Sequence, residues 1–193
     1  QHWNRDIEND LLNRFQLDPA KKTTSLSKGQ RTQLALIGAI CPEPELLVLD
    51  EPTSGLDPIV RREFIETVIG AYQAGDPERR TVFVSTHLIS EFEGLIDEFT
   101  IIEGGKNLLT MEADAARDRF KKIRVRFSQE QKLNLLGALN VKQNGREVEI
   151  LVNGNSELLL KQLKFHPLED LQVESLSLEE IFVASDLLKK AKK

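Results

Sequence analysis

The strongest constraint on this chain is a run of four apolar residues, Leu46-Leu47-Val48-Leu49, set between Pro44 and the carboxylates Asp50-Glu51. A strand with one wet face alternates polar and apolar side chains. An unbroken apolar run bounded by turn signals fits a buried strand of a parallel sheet instead. Thr81-Val82-Phe83-Val84-Ser85 reads as a second such strand. Between the two, Asp57-Pro58 offers an N-cap followed by proline at the first helical position. That helix is expected to reach about Ala74 and to stop at Gly75-Asp76-Pro77. Strand, helix and strand in this order predict α/β layers.

The flanking sequence extends the pattern. Ile7, Leu11, Leu12 and Phe15 recur at helical spacing within residues 6–17. Ser27 can cap a helix from about Gly29 to Cys41, which Pro42 ends. A further helix is expected over residues 89–95, then a hairpin of residues 99–102 and 107–110 about Gly104-Gly105. After Phe120 the texture changes: Ile123, Val125 and Phe127 alternate with Lys122, Arg124 and Arg126, as in a half-exposed strand. An amphipathic helix over residues 129–139 follows, with Leu133, Leu136 and Leu139 on one side. Residues 141–152 then read as a hairpin about Asn144-Gly145, 157–163 as a helix and 171–173 as a strand. This order predicts a ferredoxin-like split module. Two domains are expected, residues 1–120 and 121–193. Ser177 and Glu180 form a capping box opening the last helix, whose Lys189-Lys190-Ala191-Lys192-Lys193 end reads as solvated.

Composition excludes several classes. The 193 residues suffice for a core without staples. A net charge of −5 opposes sequence-independent nucleic-acid binding, which needs a basic surface. Cys41 is the only cysteine, so intramolecular disulfides and cysteine-rich zinc sites are ruled out. No run approaches the roughly 18 apolar residues of a membrane span. The opening Gln1-His2-Trp3-Asn4-Arg5-Asp6 has no signal-peptide pattern, so an intracellular chain is expected.

Four short elements carry chemistry. Leu26-Ser27-Lys28-Gly29-Gln30 is a turn opening a helix, where free amides and a partial positive charge favour anions such as phosphate; a plain capped helix fits equally. Asp50 and Glu51 follow a buried strand, at the sheet edge where ligands bind in open α/β sheets. An aspartate there can hold Mg²⁺, and the adjacent glutamate can polarise a water for attack on phosphorus; an ordinary acidic turn is the other reading. Ser54-Gly55-Leu56-Asp57 is a turn with a capping aspartate. Ser85-Thr86-His87 sets a histidine beyond the second strand, at the same sheet edge.

Together and in this order, the four resemble the later part of an ATP-binding cassette (ABC) ATPase. Ser27, Gly29 and Gln30 match the family signature, and Leu46–Asp50 with Glu51 the Walker B strand and catalytic glutamate. Ser54–Asp57 matches the D-loop and His87 the switch histidine. The resemblance covers roughly residues 1–115 and implies a partial P-loop NTPase core with parallel strands and a helical signature segment. The C-terminal α+β segment, with Leu178-Glu179-Glu180-Ile181-Phe182, resembles the appendage on ATPase subunits of ABC-2-type exporters.

The resemblance implies ATP and Mg²⁺ as cofactors, with Asp50 anchoring the metal through water, Glu51 as general base and His87 on the γ-phosphate. Ser27, Gly29 and Gln30 would meet nucleotide held by an opposing subunit, and Asp57 would couple the two sites. Lys28 stands where glycine is commoner, and either adds charge near the phosphate or, as expected here, points to solvent. Implied partners are transmembrane permease subunits and a second ATPase subunit, with the chain peripheral on the inner face of the membrane. No nucleic acid is expected.

A P-loop, Gly-x-x-x-x-Gly-Lys-Ser/Thr, is needed to cradle the phosphates. The only Gly-Lys pair is Gly105-Lys106, where Thr100 stands five residues before the second glycine position and Asn107 follows the lysine. The chain also lacks an initiator methionine, its one Met being Met111. The expectation is therefore a C-terminal fragment of a longer cassette, with negligible ATP hydrolysis by itself. Two other readings compete: a non-transport ABC ATPase acting on DNA or ribosomes, and a non-catalytic regulatory or interaction module built on residues 121–184.

Overall fold

The computed structural model describes residues 2–73 and 79–191, with side chains in the last helix described as far as Ser185. The chain divides into two compact units, Gln1–Leu88 and Ile89–Lys193.

The first unit contains α1 (Arg5–Arg14), α2 (Lys28–Ile40), β1 (Leu46–Asp50), α3 (Pro58–Gln73) and β2 (Thr81–Ser85). Asn4 caps α1, its Oδ1 accepting from the Asp6 and Ile7 amides. β1 and β2 pair in parallel, with Leu46 opposite Thr81 and Asp50 opposite Ser85. The core lies on one side of this pair: Leu11, Phe15, Leu36, Ile37, Ile40, Phe64 and Val68 are buried, and Leu47, Leu49 and Val82 pack against them. Cys41 is fully buried, which pushes its thiol pKa up.

The other face differs from the sequence expectation. Leu46, Val48 and Phe83 are 58%, 61% and 58% exposed. The apolar run is therefore buried on one face only, because the helices of this unit pack against one side of the pair. The stop at residues 75–77 lies outside the described residues.

A polar hub joins the chain start to the entry of β2. Glu43 accepts from Asn4 Nδ2 and Arg80 NH2, each at 3.1 Å, and Arg80 NH1 donates to the Ala71 carbonyl at 2.8 Å. The Asn4 and Arg80 bonds hold the Glu43 carboxyl below the ordinary value of 4.5.

The second unit contains α4 (Ile89–Phe92), β3 (Glu98–Glu103), β4 (Lys106–Glu112), α5 (Ala113–Arg119), β5 (Phe120–Phe127), β6 (Ala138–Asn144), β7 (Glu147–Asn153), α6 (Ser156–Leu163), β8 (Leu168–Ser175) and α7 (Leu178–Ala191). β3 and β4 form the expected hairpin, turning through Gly104 and Gly105 at positive φ. The other four strands form one antiparallel sheet in the order β6-β7-β5-β8. With β5 first in the chain and second-last in space, this is the ferredoxin-like strand order. Its inner face and α6 bury Ile123, Val125, Phe127, Val148, Ile150, Val152, Leu159 and Leu163. A second core gathers Ile101, Ala116, Phe120, Leu176, Leu178 and Ile181. The capping box that opens α7 is present, with Glu180 N donating to Ser177 Oγ and Ser177 N to Glu180 Oε2. The lysine-rich end lies outside the described side chains.

The helix expected over residues 129–139 is absent; an extended link leads into β6 instead. Gln131, Leu133 and Leu135 are half-buried and alternate with exposed Lys132, Asn134 and Leu136, which is a period of two. Gly137 at φ +90 ends any helical continuation, and Gln162 satisfies both the N–H and the carbonyl of Leu136. α5 had no counterpart among the sequence expectations.

Glu43 yields a pH-dependent expectation. A depressed carboxyl stabilises the fold above its ordinary pKa of about 4.5, and that contribution is lost as pH falls through the lower folded value. Glu43→Gln should cost about 1 kcal/mol at pH 7. Urea unfolding from pH 7 to pH 3 should show the gap to the natural chain closing below about pH 4.

Candidate active site

The parallel register brings the last residues of β1 and β2 side by side, and Ser85 Oγ donates to Asp50 Oδ1. One residue on, Glu51 adopts a left-handed backbone at φ +44, with its N–H donating to the Ser85 carbonyl at 2.8 Å. Such a backbone costs energy for a non-glycine residue and is concentrated at functional sites. The turn returns the Glu51 carboxylate toward the end of β2. There the His87 amide donates to Oε1 at 3.1 Å, and His87 Nδ1 lies 2.7 Å from Oε2. One residue thus holds both carboxylate oxygens. The pair stays open to water, with the Glu51 and His87 side chains 41% and 66% exposed. An oriented, solvent-accessible carboxylate is what a general base toward water requires.

Asp50 offers a hard oxygen donor beside that carboxylate. Among the described residues no three acidic, histidine or cysteine side chains gather to cage a metal. The donor set fits Mg²⁺, which takes one or two carboxylates and keeps waters and substrate phosphates for the rest.

Ser27, Gly29, Gln30 and Asp57 form a second group at two helix starts. Ser27 caps α2 through a reciprocal capping box: Gln30 N donates to Ser27 Oγ at 3.2 Å and Ser27 N to Gln30 Oε1 at 3.0 Å. Asp57 caps α3, accepting from Ile59 N and Val60 N at 3.1 Å each. A Cβ on Gly29 would stand 3.4 Å from Val60 Cγ1, so the two helix starts are in close contact. Among the described residues no hydrogen bond links Ser27, Gly29 or Gln30 to Asp50, Glu51 or His87.

Lys28 is exposed, in keeping with the expected solvent-facing side chain. Its Nζ occupies the space a Cβ on Gly55 would need. The Ser85–Asp50 bond was missed. Both residues end their strands, so equal strand lengths and a parallel register carried the signal.

This two-stranded parallel edge with acidic and histidine residues just beyond it, backed by helices on one face, is similar in fold to ABC ATPase cassettes of the P-loop NTPase type. A solved structure of the ATP binding subunit of an ABC transporter matches it with a TM-score of 0.52 and 26% identity, over 59% of this chain and 47% of that one. Residues 8–92 match a family described as "AAA domain, putative AbiEii toxin, Type IV TA system". The ABC transporter ATP-binding protein YtrB of Bacillus subtilis is 26% identical over 91% of this chain and 60% of its own length. The bacitracin transport ATP-binding protein BcrA of Bacillus licheniformis is 35% identical over 56% of this chain and 34% of its own. The chain is similar to ABC transporter ATP-binding proteins, and it spans between about a third and three fifths of the length of those curated relatives. No helix among the described residues is long and apolar enough to cross a membrane.

Capping gives a separable expectation for Asp57. Asp57→Ala should destabilise the first unit by about 1 kcal/mol in urea unfolding, whereas Asp57→Ser should keep most of the cap. A functional loss shared by both variants then belongs to the carboxylate and not to helix stability.

Proposed function

We propose that this chain supplies the signature, Walker B, D-loop and switch-histidine part of an ATP site in an ABC exporter. The observation that carries this reading is the double hold of His87 on the Glu51 carboxylate at the shared end of β1 and β2. Glu51 is the general base. It takes a proton from water as the water oxygen bonds to the γ-phosphorus, and the bond from that phosphorus to the bridging oxygen breaks toward ADP. His87 fixes Glu51 for that task and stands where it can meet the γ-phosphate. Asp50 would hold Mg²⁺, which would supply charge neutralisation along the phosphates.

Ser27, Gly29 and Gln30 open α2, a 13-residue helix, with donors suited to a phosphate presented by an opposing ATPase subunit. Asp57 couples the two sites across that dimer. The transmembrane permease subunits are the mechanical load, which sets the chain on the inner face of the membrane. Residues 121–193 serve as an accessory module that follows, in sequence, a cassette part ending near residue 120.

These 193 residues contain no P-loop to grip the phosphates, so the chain alone should turn over no ATP above background. Joined behind the P-loop portion of an ABC-2 exporter cassette, it should hydrolyse Mg²⁺-ATP. Glu51→Gln should then lower kcat by about 100-fold or more with little change in nucleotide affinity. Equal turnover in the joined protein with and without Glu51→Gln would remove Glu51 from the role of base.

A further inference from the structure

We infer that Lys28 is a positioning residue that ties the turn opening α2 to the Ser54–Asp57 turn, with Gly55 as its seat. The inference rests on reading both turns as parts of one ATP site. It begins from where the lysine goes. Lys28 is the first residue of α2, and its Nζ and Cε are the atoms nearest to the place a Cβ on Gly55 would occupy, with Cε at 3.5 Å. Gly55 has φ +69, a conformation that side chains other than glycine rarely adopt. The same missing Cβ therefore gives the turn its shape and gives the ammonium its space.

A second contact runs parallel to the first. A Cβ built on Gly29 would stand 3.4 Å from Cγ1 and 3.7 Å from Cγ2 of Val60, in the first turn of α3. Two consecutive residues of the signature turn, Lys28 and Gly29, thus meet the Gly55 turn and the start of the helix it leads into. The helix ends themselves are closed by their own caps, the Ser27–Gln30 box and the Asp57 carboxylate. Between Glu51 and Asp57 the chain runs through buried Thr53 and Leu56. Ser54 N donates to the Glu51 carbonyl at 3.1 Å, Leu56 N to the Thr53 carbonyl at 3.2 Å, and Arg61 NH2 to the Leu56 carbonyl at 3.2 Å. Lys28 meets the middle of this stretch, at Gly55, from outside. Since Glu51 begins it, this contact links the helix start that would face phosphate to the residue that would activate water. A glycine at position 28 has no side chain to make this link.

The test is amide hydrogen exchange on the full chain without nucleotide, read at Ser54 and Leu56, whose N–H groups are bonded within the turn. Lys28→Gly should speed exchange there by about fivefold or more, and Lys28→Arg, which restores reach and charge, should return it to near the natural rate. Because Lys28 is exposed, Tm should move by no more than about 2 °C in either variant. Unchanged exchange in Lys28→Gly overturns the inference, and so does faster exchange that Lys28→Arg fails to reverse. The ATP-site reading fails separately, through indifference of the joined ATPase to Glu51→Gln, and the nucleotide-free exchange result does not depend on it.

Discussion

The candidate site depends on five residues of parallel pairing between β1 and β2. That pairing sets Asp50 against Ser85, and from this shared end both strands leave the sheet in the same direction. Parallel strands cannot be joined by a tight turn, so the crossover must be long, and α3 fills it. The core between this pair and the three helices contributes the apolar burial that makes the register worth holding. Shifting β1 by a residue would turn Leu47 and Leu49 out of that core. The geometry at Glu51 and His87 therefore inherits its accuracy from packing on the far side of the strands.

Each polar feature at the strand ends then has a local cause. Glu51 turns back because its backbone is left-handed, and the Ser85 carbonyl and His87 hold it there. Ser27 and Asp57 perform capping work that any helix start needs, and the same atoms stand at the edge proposed for phosphate. Structural and chemical roles coincide in these side chains. A variant at either position must be read against its effect on helix stability before it is read as chemistry.

Much of this was legible in the sequence, for identifiable reasons. The apolar runs and the Asp57-Pro58 start are local signals, and β1, β2 and α3 form where those signals stand. The strand order β6-β7-β5-β8 matches the split pattern read from the order of elements. The exposed face of Leu46, Val48 and Phe83 was not legible, since an apolar run does not say whether both faces are covered. Residues 129–139 misled because leucines at 133, 136 and 139 fit a helical spacing, while the core took Leu133 and Leu135 from an extended chain. The reach of Lys28 to Gly55 joins residues 27 positions apart through a side chain, and no local pattern encodes it.

His87 holds the Glu51 carboxylate at the end of the β1–β2 pair. Nitrogen-15 NMR of the imidazole rings tests this hold directly, and three histidines make the spectrum tractable. The expected result is a hydrogen-bonded, protonated Nδ1 on His87 whose resonance moves in Glu51→Gln, while His2 and His166 stay in place. His87 ring resonances that are identical with and without the Glu51 carboxylate would contradict it.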